Sequence, residues 1–178
     1  MLKSLALAIT LVAFAACGTV YAQNPTTPPP TDAQIAMIAV VADTVDIDTG
    51  NMAAKKTKNK SVREFAKTMV RDHTAVNDKA IALAKKLGVT PEASDTSKSL
   101  KSHGKKELAK LKALTGAEFD KAYVDNEVSY HEAVIGLLDK TLIPNTRNAE
   151  LKSLLESGRP IFAAHLAHAK KLQVSLNK

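Results

Sequence analysis

The sequence has no tryptophan, a single cysteine, and aromatic residues at only 4% of its 178 positions. Sheets draw heavily on aromatic and β-branched side chains, so this scarcity argues against a β fold, and the abundance of Ala, Leu, Lys and Glu argues for helices. The lone Cys17 cannot form an internal disulfide, and it lies in an N-terminal segment with the features of an export signal, so a processed chain has no thiol chemistry. There is no glycine-rich phosphate loop and no Gly-x-Ser-x-Gly turn. Nucleotide handling and serine hydrolysis are therefore excluded as readings.

The longest apolar run, Leu5 to Ala16, is too short to span a membrane. With Lys3 before it and Val20-Tyr21-Ala22 as a small-residue cleavage site, residues 1–22 read as a secretory signal, which places the protein in the periplasm or at the outer membrane. Ala15-Ala16-Cys17-Gly18 offers a second possibility, lipid attachment at Cys17, although Phe14 stands where an aliphatic residue is usual. Residues 23–31 hold four of the seven prolines and read as an extended spacer. Residues 32–176 are long enough for one domain.

Removing Lys3 from the 25 basic residues leaves 24 against 18 acidic, a net charge of +6. The lysines cluster at Lys55, Lys56, Lys58 and Lys60, and again between Lys98 and Lys112. Nucleic-acid surfaces interleave arginines and stacking aromatics that are missing here, so no nucleic-acid partner is expected. An anionic envelope surface or lipid is the partner that such charge alone can attract.

Apolar spacing predicts four long helices. The first runs from Asp32 to Thr57 on a stripe of Ile35, Ile38, Val41, Val45 and Met52. The second opens at a capping-box pattern, Ser61 to Glu64, and ends near Gly88. The third opens at Thr115 to Glu118, another capping-box pattern, and ends at Leu142 to Asn145. The fourth spans Arg147 to Leu176, with Pro160 expected to kink it. A shorter lysine-rich helix, Thr96 to Leu114, interrupted by Gly104, is expected to lie across the others. This order, with a long connection between the second and third long helices, predicts an all-α ferritin-like four-helix bundle with an extra short helix in that connection, a plain up-down four-helix bundle being the nearest alternative.

Every long helix carries a polar residue where its stripe should be apolar: Asp48, then His73, then Glu127 and His131, then His165. Unpaired burial of such groups costs a few kcal/mol each, so they are expected to meet one another, water or a metal. Counting about 1.5 Å per residue from the turns sets Asp48 opposite His73. The same count offsets Glu127 from His165 by about 4–5 Å and His131 from His165 by roughly 10 Å. Asp48, His73, Glu127, His131 and His165 form a donor set that suits one transition metal ion, Zn, Cu, Fe or Mn. A metal-free polar network helped by Tyr123 and Tyr130 uses the same residues. His168 is expected outside the set, beside it or on the surface, and His103 on the surface. The paired Glu-x-x-His motifs of di-iron enzymes are absent, so an enzyme is the less favoured reading.

Met69-Val70-Arg71-Asp72-His73, Phe119-Asp120-Lys121-Ala122-Tyr123, the segment ending in His131-Glu132, and His165 before Ala169-Lys170-Lys171-Leu172 together resemble the secreted bacterial ferritin-like domains of unknown function often labelled outer-membrane proteins. The resemblance covers roughly residues 32–172. It implies a ferritin-like fold and an envelope location, with no established activity. It also implies that the family's recurrent histidines correspond to His73, His131 and His165, and an acidic residue of its first helix to Asp48. Family members tend to have Glu at Asp48 and an acidic residue at Tyr130.

Overall fold

A computed structural model describes residues 28–178. The expected signal segment, Cys17 and most of the proline-rich spacer lie outside the described residues.

Helix α1, Asp32–Lys56, is opened by a reciprocal cap in which Thr31 accepts from the Gln34 amide and the Gln34 side chain accepts from the Thr31 amide. Asp32 in its first turn and Lys55 and Lys56 in its last complement the helix dipole. The chain reverses at once into α2, Lys60–Lys86, whose cap is Asn59, accepting from the amides of Ser61 and Val62. Ser61, expected as the cap, is already helical; the shorter reversal leaves that work to Asn59. Gly88, with φ of 63°, follows the end of α2 as expected.

Helix α3, Asp95–Ala113, lies along α1. Gly104 does not interrupt it. A Cβ on Gly104 would sit 2.6 Å from Val45 Cγ2, so the missing side chain is what lets α3 approach α1. Helix α4, Gly116–Leu137, follows Thr115, whose side chain makes no capping bond; the expected capping box does not form. The chain then continues through a π-helical turn, Leu138–Leu142, and a single turn α5, Ile143–Asn145. Helix α6, Ala149–Leu176, is capped by Asn148 and runs through the exposed Pro160 without ending.

Among the described residues the architecture is therefore an all-helical bundle. Short reversals join α1 to α2 and α5 to α6, and the long connection between α2 and α4 carries α3. The apolar core falls into two clusters. One gathers Phe65, Met69, Phe119, Val124 and Leu172. The other gathers Ile35, Ile38, Val134, Leu138, Leu155 and Phe162. On each of α2, α4 and α6 a histidine stands where the chain passes from one cluster to the other, so the polar residues form a layer between two greasy ends.

Candidate metal centre

Four helices supply the layer: Asp43, Asp46 and Thr49 from α1, His73 from α2, Glu127 and His131 from α4, and His165 from α6. None of these residues exceeds 5% exposure. The three imidazole rings lie with centroids 5.1 to 5.5 Å apart, and one ring nitrogen from each comes within 4.8 Å of the others.

Each ring commits one nitrogen to an acceptor. His73 Nδ1 pairs with Asp43 Oδ1 at 2.8 Å, His131 Nδ1 donates to the Glu127 carbonyl at 2.9 Å, and His165 Nε2 pairs with Asp72 Oδ2 at 3.0 Å. The remaining nitrogens, His73 Nε2, His131 Nε2 and His165 Nδ1, are buried and have no hydrogen-bond partner. In a neutral ring an N–H held by an outer acceptor fixes the tautomer and leaves a lone pair on the other nitrogen, the orientation that metal-binding histidines adopt; His73 Nε2 also stands 3.5 Å from Asp46 Oδ2, which favours a proton there.

The carboxyls form the other half of the layer. Asp46, Glu127 and His131 each offer a ligand atom within 4.8 Å of the other two. Asp46 Oδ1 and Glu127 Oε2 have no partner, while Thr49 Oγ1 stands 3.5 Å from Glu127 Oε1. Burial pushes Glu127 up to about 8. Burial raises Asp46 well above the usual carboxylate range, with Glu127 adding to it, and also raises Asp43 against its bond to His73. Burial presses His73 down, but Asp46 and Asp43 together outweigh it and its affinity for a proton is raised. Burial and the neighbouring His73 bring His131 down to about 3, and burial also lowers His165. The latter two rings are thus neutral at ordinary pH, with lone pairs available.

Four of the five residues singled out in the sequence, His73, Glu127, His131 and His165, meet in this layer. Asp48 does not. It is exposed on the flank of α1 that faces α3, beside Lys101 and Lys105, and Asp43 and Asp46 take the place opposite His73. Val41, Val45, Asp48 and Met52 form a genuine helical row, but the row looks toward α3. The register of His131 against His165 also differs from expectation, since their rings are 5.5 Å apart. The helix extends to Asn145 before reversing, and the later pivot slides the two histidines level.

Tyr130 donates to the Ala42 carbonyl at 3.2 Å, while the Tyr123 hydroxyl is buried beside the carboxyls without a partner. His168 is exposed, its ring edge-on to Phe65, and His103 is exposed against Tyr130.

Fold and site together define a helical bundle with a buried imidazole and carboxylate layer. The chain belongs to a family described as a domain of unknown function, DUF4142, matched over residues 18–172. No match is found among curated proteins or solved structures.

Proposed function

We propose that this protein is an exported, non-catalytic or weakly redox-active bundle of the ferritin-like kind, held in the periplasm or at the outer membrane, that binds a transition metal ion inside its polar layer. His73, His131 and His165 supply imidazole ligands, and Asp46 and Glu127 stand beside them; Zn, Cu, Fe and Mn all suit such donors. The observation that carries the reading is the shared arrangement of the three rings, each with its outer nitrogen tied to an acceptor and its other nitrogen buried without a hydrogen bond. Orphaned buried acceptors cost about 1–3 kcal/mol each; a cation relieves those of His131 and His165 at once and takes the place of the proton that Asp46 and Asp43 favour on His73. Elemental analysis with metal titration of the untagged chain from residue 23 tests this. About one zinc ion per chain, lost in His73→Ala and in His131→Ala, is expected; normal zinc binding in both variants, or no binding of any metal under any loading, would sink the proposal.

A second reading rests on α3, whose lysines at 98, 101, 105, 106, 110 and 112 are all exposed. A structural or interaction role at an anionic envelope surface, with the histidines networked and metal-free, would use this face. No helix of the described residues is long and apolar enough to cross a membrane. Such a role requires binding to anionic vesicles that weakens as salt rises; binding insensitive to salt counts against it.

A further inference from the structure

The two groups of converging donors overlap in one residue. His73, His131 and His165 make an all-nitrogen set, and Asp46, Glu127 and His131 make a set of two carboxylates and one imidazole. His131 cannot serve both at once. Its Nδ1, although 3.6 Å from Glu127 Oε2, donates to the Glu127 carbonyl at 2.9 Å, which leaves only the Nε2 lone pair for a metal, and one lone pair points at one ion. Neither set is a loose acidic patch: Asp46 is 2% exposed, Glu127 0% and His131 1%, and Asp46 Oδ1, Glu127 Oε2 and His131 Nε2 are each buried without a hydrogen bond.

The donor chemistry of the sets differs. Imidazole suits zinc and copper, whereas carboxylate oxygen suits harder ions such as manganese(II). Among the described residues that are buried, none is a lysine or arginine; the group that can carry positive charge beside Asp46 in place of a cation is His73, whose Nε2 stands 3.5 Å from Asp46 Oδ2.

We propose that the layer contains two overlapping, mutually exclusive metal sites that share His131, an imidazole site with His73 and His165 for zinc or copper and a carboxylate site with Asp46 and Glu127 for manganese(II). The proposal rests on the metal-binding reading above and adds that the identity of the ion decides which half is used. It has a structural consequence. Zinc joins α2, α4 and α6 through one residue each, while manganese joins α1 to α4. The same chain thus reports by which helices are tied together whether it holds a soft or a hard ion, and exchange of one ion for the other requires only that His131 change allegiance within a space of a few ångströms.

The exported chain, stripped with a chelator, is titrated with Zn(II) alone, with Mn(II) alone, and with Zn(II) after loading with Mn(II). Free manganese is followed by its electron paramagnetic resonance signal and bound metal by elemental analysis. Wild type is expected to bind about one ion of either kind, and zinc, higher in the affinity order, is expected to release manganese one for one. His165→Ala should weaken zinc by about tenfold or more and leave manganese within about threefold, and Glu127→Gln should do the reverse. His131→Ala should weaken both. Asp46→Asn provides a second lesion in the carboxylate half should Glu127→Gln unfold, and the competition on wild type needs no variant. Zinc and manganese bound together in wild type, or a ligand variant that weakens both metals alike when His131 is intact, would overturn the shared-residue arrangement while leaving metal binding standing. Failure of wild type to bind either ion would remove the metal reading itself, and this inference with it.

Discussion

Glu127 is fully buried, with one carboxylate oxygen near a threonine hydroxyl and the other without a partner. Burial holds it protonated, its affinity for a proton pushed up to about 8 from an ordinary 4.5. A group whose folded value lies above its unfolded one favours the native state fully below the unfolded value and loses that contribution as pH rises through the folded one. The metal-free protein should therefore lose stability toward pH 8, by about 1 kcal/mol per pH unit from this residue. His131 and His165, both lowered by burial, act with the opposite sign, but only below their ordinary value near 6.5. The decline is consequently read between about pH 7 and 8. Urea unfolding of metal-free protein across that range, in wild type and Glu127→Gln, makes the comparison. The variant should show the shallower dependence, and equal slopes would mean that Glu127 is not the group releasing the proton.

At the scale of elements, the approach of α3 to α1 depends on Gly104. Alanine has the better helix propensity by about 1 kcal/mol, yet its methyl would press on Val45 Cγ2 at 2.6 Å and Cγ1 at 3.1 Å. Overpacking of this kind costs about 1–3 kcal/mol, so Gly104→Ala should destabilise the wild type. In a Val45→Ala background the obstructing methyls are gone, and the same substitution should become neutral or stabilising. Urea midpoints of the four proteins in this cycle decide it; additive effects would place α3 elsewhere. The same contact explains what could be read from the sequence. The long helices were legible to within a few residues because each carries a sustained apolar row, and His73, Glu127, His131 and His165 were legible because each breaks such a row. Asp43 and Asp46 were not, because α1 is covered on two sides. Val45 lies under α3 while Ile35 and Ile38 enter the bundle core, so the apolar arc is wide and either flank passes for the buried one. The small residues Ala42, Thr49, Gly50 and Ala53 carried the missing signal. A Cβ on Gly50 would lie 3.1 Å from the Ala66 carbonyl oxygen and 3.0 Å from Val70 Cγ2, which identifies that flank as the one pressed against α2. The level of His131 against His165 was hidden by the π turn and α5, whose extra helical residues move the pivot and leave no mark in apolar spacing.

Across the whole molecule, the polar layer separates two apolar clusters. In such an arrangement the ends of the bundle are held by hydrophobic burial and the middle by whatever satisfies the histidines and carboxyls. An ion in the imidazole site links α2, α4 and α6, helices that are distant in sequence. Because the unfolded chain does not assemble that site, binding energy adds directly to folding energy. At a free concentration one hundred times the dissociation constant the added stability is about 2.7 kcal/mol. For a domain of this size that corresponds to a rise of roughly 5–10 °C in the midpoint of thermal unfolding. Calorimetry with and without saturating zinc should show that rise in wild type and little of it in His131→Ala. The midpoint should also climb with the logarithm of zinc concentration, as mass action demands of an ion bound only to the native state. A midpoint that zinc leaves unchanged, in a chain that elemental analysis shows to carry the metal, would mean that the ion sits on a surface the unfolded chain also offers and that the layer between the two clusters is held by protons alone.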